Sequence, residues 1–339
     1  MISSKITIEL YPAEGRQWAL ISLDGPDDPH LTLAEAIKAL GMELIRLHHQ
    51  GVSESIPLDL GNLQPTAVSA PTPVSVSNLL GNTDLLPHQQ AIDEEDKPEW
   101  IEATADDRQK AYELVKRWKA EGGKTLLQRL DLSEQDLTGV DLAGADLSYS
   151  NLEGANLTFA NLAGANLSET ILSMSTLTGA NLRLANLSHA ALIEAALNQA
   201  NLEEANLERA NLTEATLNQT NLRRSNLNRA VLSQANLIRV NLGQASLVEI
   251  NLAEANLSEA DLTGADLSRA FLYEAILQRV NLSGANLEQA NLSRANLSQA
   301  DLSNANLSYA DLSLANLTGA NLRDVILQDT DFDGALLPE

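Results

Sequence analysis

The chain has 339 residues, with 46 Asp and Glu against 22 Lys and Arg and a formal net charge of −24 at pH 7. An excess of acid on that scale argues against direct nucleic-acid binding, because phosphates would be repelled. Cysteine is absent, which excludes thiol catalysis, disulfides and cysteine-held zinc, and three Met, three Trp and three Phe cannot build an aromatic core.

No run of about 18 apolar residues occurs and the first twenty lack a signal-peptide layout, so the expectation is a soluble cytoplasmic protein that makes no membrane contact. The segment Ile6-Thr7-Ile8-Glu9-Leu10 alternates like a half-buried strand, and Trp18 to Leu23 can pair with it after a turn at Pro12 to Gly15. Thr32 and Glu35 make a capping box ahead of Leu33, Ile37, Leu40, Leu44 and Leu47, one apolar face of a helix that ends near Gly51. Residues 1–51 therefore read as a small ββα domain. Residues 52–103 are rich in Pro, Ser, Asn and Thr, with an acidic patch at Asp93 to Asp96, and read as a flexible linker.

A second helix is expected from Ala105 to Glu121, capped by Thr104 and ended by Gly122-Gly123, with Ala111, Leu114, Val115 and Trp118 on one face. Residues 104–125 stand directly before a repeat whose first turn would otherwise expose apolar interior, so this amphipathic helix reads as its cap.

From Leu127 to Leu337 a leucine recurs every fifth residue, replaced only by Phe332, giving 43 repeats over 126–337 without a shift of register. Two residues before most of these leucines stands Ala, Ser or Thr, and one residue before stands Asn or Asp. On an α-helix five residues advance about 140° past a full turn, so the leucines would share no face. On a straight strand an odd spacing sends alternate leucines to opposite faces. A chain that bends about 90° at every repeat resolves both conflicts. Four repeats then close a square coil, with Leu and the small residue pointing inward.

The motif, as in Ala155-Asn156-Leu157-Thr158-Phe159 and Ala255-Asn256-Leu257-Ser258-Glu259, resembles the A(D/N)LXX signature of pentapeptide-repeat proteins. The resemblance implies a mainly β fold, a right-handed quadrilateral β-helix, here of about eleven coils. Proline is absent between Pro98 and Pro338, as inter-coil hydrogen bonding requires.

Catalytic, cofactor and metal sites find no support. Gly123-Lys124-Thr125 resembles the end of a phosphate loop, but Trp118 occupies the place of its first glycine. The five histidines, His30, His48, His49, His88 and His189, lack metal-ligand spacing, and no nucleophile stands beside a base. The chain reads as a non-enzyme without cofactors.

Square winding places residues twenty apart on one wall. The wall of Leu132, Leu152 and their successors carries −9 of the −15 borne by residues 126–339. Its Glu153, Glu194, Glu214, Glu254 and Glu274, together with Ile193, Phe271 and Tyr273, form a candidate surface for a basic protein partner. Arg223, Arg224, Arg229 and Arg239 form a basic collar that reads as a solubility feature.

The first functional expectation is a non-enzymatic interaction scaffold. The second follows from the resemblance, because some pentapeptide-repeat proteins imitate duplex DNA and bind a type II topoisomerase such as gyrase. Duplex DNA carries about −2.8 per 4.8 Å, twice the average of about −1.4 per coil given by −15 over roughly eleven coils. Such mimics also pair end to end through their last coil, so a homodimer through the C-terminal coil is a further expectation.

Overall fold

The computed structural model describes the backbone of residues 5–13, 16–24, 56–59 and 74–75, and residues 104–123 and 127–338 in full. The chain divides into two compact units, residues 1–93 and 94–339.

In the first unit β1 (Lys5–Ala13) and β2 (Arg16–Asp24) form the expected antiparallel hairpin, with Ile8 opposite Ile21 and Ala13 opposite Arg16. Two further strands join it. β3 (Ile56–Asp59) pairs with β1 and β4 (Val74–Ser75) with β2, giving the order β3-β1-β2-β4. The linker reading of residues 52–103 is corrected at these points. Strands of four and two residues are too short to show a period, and Pro57 hides the first of them. Proline is tolerated there because β3 is an edge strand. The helix expected from Leu33 to Leu47 lies outside the described residues.

The second unit opens with α1 (Ala105–Trp118). Thr104 caps it with extended backbone: the amide of Asp107 donates to Thr104 Oγ1 at 3.3 Å, and the Thr104 amide donates to Asp107 Oδ2 at 3.1 Å. Asp106 and Asp107 in the first turn and Lys116 and Arg117 in the last match the helix dipole. Gly123, at φ 68°, closes the end by donating its amide to the Trp118 carbonyl at 2.9 Å. Ala111, Val115 and Trp118 are buried in the same apolar cluster as Leu127 and the leucines that follow.

Beyond Leu127 each repeat places its first residue in a parallel bridge with the residue twenty further on, from Asp131↔Asn151 to Asn316↔Leu336. The repeat follows from where its five amides go. In the repeat that begins at Asp131, the Leu132 amide donates to Asn151 O at 2.7 Å and the Glu134 amide to Glu153 O at 2.8 Å, both in the next coil. The Gln135 amide closes a turn onto Leu132 O at 3.3 Å, and the Asn151 amide reaches back to Leu130 O at 2.8 Å. The amide of the third residue is left, and the side chain of the first takes it: Ser133 N donates to Asp131 Oδ1 at 3.1 Å. That last bond is why Asn or Asp precedes most of the leucines.

The fourth residue is the corner. From Arg129 to Gly334 every one has a left-handed φ, between 51° and 73°. With the turn bond from the fifth residue, this is the geometry of a type II turn. No Val, Ile, Thr or Pro occurs at the fourth position, the residues for which that conformation is hardest. The second and fifth positions are sealed inside, with Leu132 to Leu317 essentially without solvent exposure. Each leucine contributes about 1.5–3 kcal/mol of apolar burial, which offsets a cost of about 1–2 kcal/mol for a non-glycine residue at the corner.

Candidate interaction surface

The bridges Asn151↔Ile171, Ile171↔Ala191, Asn211↔Val231 and Asn251↔Phe271 set the first residues of the acidic wall one above another. Elsewhere this row is a polar ladder: Asn166 Nδ2 donates to Asp146 Oδ1 at 2.9 Å, Asn186 to Asn166 at 3.0 Å and Asn206 to Asn186 at 3.1 Å. On the acidic wall Ile171, Ala191, Val231 and Phe271 interrupt the ladder and are interspersed with Asn151, Asn211, Asn251 and Asn291, and on the Leu137 wall Ala196 and Ile276 do likewise. Phe271 is 53% exposed, whereas Ile193 and Tyr273, at third positions of the same wall, are half-buried.

Glu194, Glu214, Glu254 and Glu274 are brought together as expected, in one corner column with Gln234, at φ 54° to 61°. Their amides are fixed by the next coil: Glu194 N to Thr213 O at 2.9 Å, Glu214 N to Ser233 O at 3.0 Å and Glu254 N to Tyr273 O at 2.9 Å. Glu153 does not join them. It is a third-position residue, and its amide donates to Asn151 Oδ1 at 3.1 Å. Position within the repeat, not wall alone, decides which side chains stack.

Charge pairing differs along this column. On the other walls a basic side chain meets an acid one coil away: Arg229 and Glu249 at 2.9 Å, Arg239 and Glu259 at 2.7 Å, and Arg183 and Glu204 at 3.1 Å. The hydrogen bond from Arg229 holds the Glu249 carboxyl below the usual range, and Arg239 does the same for Glu259. In the acidic column Arg294 meets Glu274 at 3.5 Å, and the Gln234 amide group donates to Glu254 Oε2 at 3.1 Å. Glu194 and Glu214 have no ion pair among the described residues. The basic collar divides as well. Arg229 and Arg239 are the paired arginines above, Arg223 lies 4.0 Å from Glu203, and Arg224 Nε donates to Gln244 Oε1 at 3.0 Å.

Sequence reasoning passed over the bulky corner residues. Phe159 is 68% exposed, and a Cβ added at Gly179 would lie 2.5 Å from its ring. The signal was a glycine twenty positions after a bulky apolar residue; Leu314 and Gly334 repeat it.

A β-solenoid with five-residue sides, twenty residues per turn and an Asx-bonded turn at each corner is the class of protein these features define. The chain belongs to the pentapeptide-repeat family: the family model for pentapeptide repeats matches residues 125–273 and 281–337 in overlapping copies. The family's architecture is a right-handed quadrilateral β-helix, and its members are in general structural or interaction proteins. The chain is similar to HetL, a pentapeptide repeat protein involved in heterocyst differentiation regulation from the cyanobacterium Nostoc sp. strain PCC 7120, at 37% identity over 66% of this chain and 95% of that one, with a TM-score of 0.37. It is also similar to QnrB1, a plasmid-mediated fluoroquinolone resistance protein, at 20% identity over 60% of this chain and 91% of that one, TM-score 0.34. A pentapeptide repeat protein of the Arabidopsis thaliana thylakoid lumen is 32% identical over 28% of this chain and 69% of that one, TM-score 0.22. No curated protein gives a significant match. Among the described residues no helix is long and apolar enough to cross a membrane.

Proposed function

We propose that the chain is a non-enzymatic scaffold of about eleven coils, capped at its first coil by α1, that presents the acidic and partly apolar wall to a basic protein partner. The observation that carries this is the contrast in charge pairing. Arginines meet carboxylates across coils on the other walls, while Glu194 and Glu214 stand without an ion pair, Glu194 next to half-buried Ile193, and exposed Phe271 lies further along the same wall, in the coil of Glu274. Unscreened acid next to apolar surface gives both steering and burial to an approaching cation-rich surface. The variant Glu194→Lys, Glu214→Lys, Glu254→Lys, Glu274→Lys tests it. Affinity capture with the full chain is expected to lose the proteins retained by the unaltered rod, and an unchanged capture profile overturns the surface.

The second reading is a DNA-like regulator of gyrase, which the family resemblance suggests. Its charge density is half that of duplex DNA, and the arginines that interrupt it are paired with acids of the same rod. A gyrase supercoiling assay decides between the two, with no inhibition or protection expected for a scaffold. Either reading allows a second copy to sit on the last coil, where Leu327, Leu336 and Leu337 are 44%, 60% and 56% exposed.

A further inference from the structure

The acidic column has a regular spacing that restricts what can lie on it. Glu194, Glu214, Glu254 and Glu274 stand at the same corner in four of five successive coils, with Gln234 in the third, and the coils are about 4.8 Å apart along the axis. The span from Glu194 to Glu274 is therefore about 19 Å. Beside the column stand Ile193, Val231 and Phe271, spaced among the polar residues Asn211, Thr213, Ser233 and Asn251, so the wall offers separate apolar side chains along one side of a line of carboxylates.

We infer that the element of the partner received by this wall is a cationic amphipathic helix lying along the rod axis; the inference rests on the scaffold reading and specifies what the wall binds. A helix about 10–12 Å across matches one wall, whose extended part is about three residues, or roughly 10 Å. Side chains on one face of a helix return every 5.4 Å or so, against about 4.8 Å per coil. Over four coils the two patterns slip by about 2–3 Å, which a Lys or Arg stem absorbs. A strand laid along the same axis returns a same-face side chain every 6.6 Å or so and slips by about 7 Å over that span. The helix keeps a cation within reach of each carboxylate, and its flanking aliphatic residues cover Ile193 and Phe271. A strand does neither. About 13 helical residues span the column, and the gap at Gln234 lies where one cation can be replaced by a polar residue. Such pairing is electrostatic at the rim and apolar at Ile193 and Phe271, so salt weakens it without abolishing it.

The test uses the full chain and two labelled 18-residue peptides of identical Lys, Leu and Ala composition. In one, Lys and Leu occupy adjoining faces of a helix; in the other they alternate with period two. Fluorescence anisotropy is expected to give binding of the helical isomer at least tenfold tighter than its rearranged partner, with a gain of helical circular dichroism on binding. The variant Glu194→Gln, Glu214→Gln, Glu254→Gln, Glu274→Gln is expected to weaken the helical isomer at least tenfold. An equal loss of charge on other walls, Glu208→Gln, Glu288→Gln, Asp324→Asn, Asp329→Asn, is expected to change it less than twofold. Thermal midpoints of both variants within a few degrees of the parent show that the rod is intact. Equal binding of the two isomers, or none, overturns the helix while leaving the scaffold reading to its own capture test. Equal weakening by the two sets of substitutions overturns the acidic wall itself.

Discussion

Asn236 Oδ1 is the buried side-chain acceptor that lacks a hydrogen bond among the described residues, and its neighbours explain why. Its usual donor, the amide of Ile238, is taken by Asn218 Oδ1 at 3.0 Å from the coil before. Asn198 does the same for the Asn218 amide at 3.0 Å, because Thr216 stands where Asn or Asp is the rule. Asn228 serves Val248 at 2.8 Å in place of Ser246. Asn218→Ala should be close to neutral in thermal unfolding, since Asn236 can recover the freed amide. Asn198→Ala should cost about 1 kcal/mol, because only a threonine hydroxyl remains. Corner strain gives a second residue-scale test. At His189, φ 59°, the native residue already bears the left-handed cost, so β-branched valine should lower stability further and glycine should change it little. Asp301 gives a pH test. Its carboxyl is held below the usual range first by the Ser303 amide and hydroxyl and also by Asn321. A lowered folded-state pKa means stability present above the unfolded Asp value, near 3.9, and lost as pH falls through the folded value. Asp301→Asn keeps the acceptor, so it should leave stability at pH 7 nearly unchanged and flatten its decline below about pH 4, read by urea unfolding. The inward Leu and Ala positions were legible from period alone. The need for Asn or Asp was visible only as composition, because its cause is an amide that the period does not show.

At the scale of the coil, identical letters carry different energies according to what lies above and below. Leu227 is fully buried, whereas Leu327 in the last coil is 44% exposed. Leu227→Ala should cost about 2–5 kcal/mol, and Leu327→Ala much less, since part of its surface already meets water. Phe159 and Gly179 form a couple across one coil. Gly179→Ala meets both the Phe159 ring and a φ of 67°, so it should lower the thermal midpoint, and adding Phe159→Ser should restore only the part due to the ring. The repeat and α1 were readable because each carries a period or cap over many residues. β3 and β4 were not, because pairing with the hairpin, and not their own pattern, makes them strands. Glu153 lies on the acidic wall, as the count by wall placed it, but at a third position and so outside the corner column.

For the rod as a whole, the two ends of the described coil stack differ, and that difference predicts different failures. At the first coil α1 buries Ala111, Val115 and Trp118 against the leucine column, and Arg108 to Asp131 at 3.7 Å and Lys119 to Asp141 at 3.2 Å fix its placement. The Lys119 pair is substantially exposed and worth little alone, and the 3.7 Å Arg108 pair is long and half open on its arginine side; the apolar contact holds the helix. At the last coil Leu327, Leu336 and Leu337 face outward, and the amides of Leu327, Phe332 and Leu337 have no backbone acceptor among the described residues. A second copy of this chain would pair there through these amides, as one strand edge pairs with another. Leu337→Glu should therefore remove any concentration-dependent dimer in sedimentation velocity while leaving the thermal midpoint almost unchanged. Val115→Asp should act in the opposite way. A charge under the helix detaches α1, bares the first leucines and gives irregular aggregation with dye binding to apolar surface, rather than a defined dimer. Equal sedimentation of Leu337→Glu and parent would mean that the last coil takes no second copy. A Val115→Asp chain that stays monomeric and melts like the parent would mean that α1 contributes no cover, since nothing else described shields the first coil from solvent.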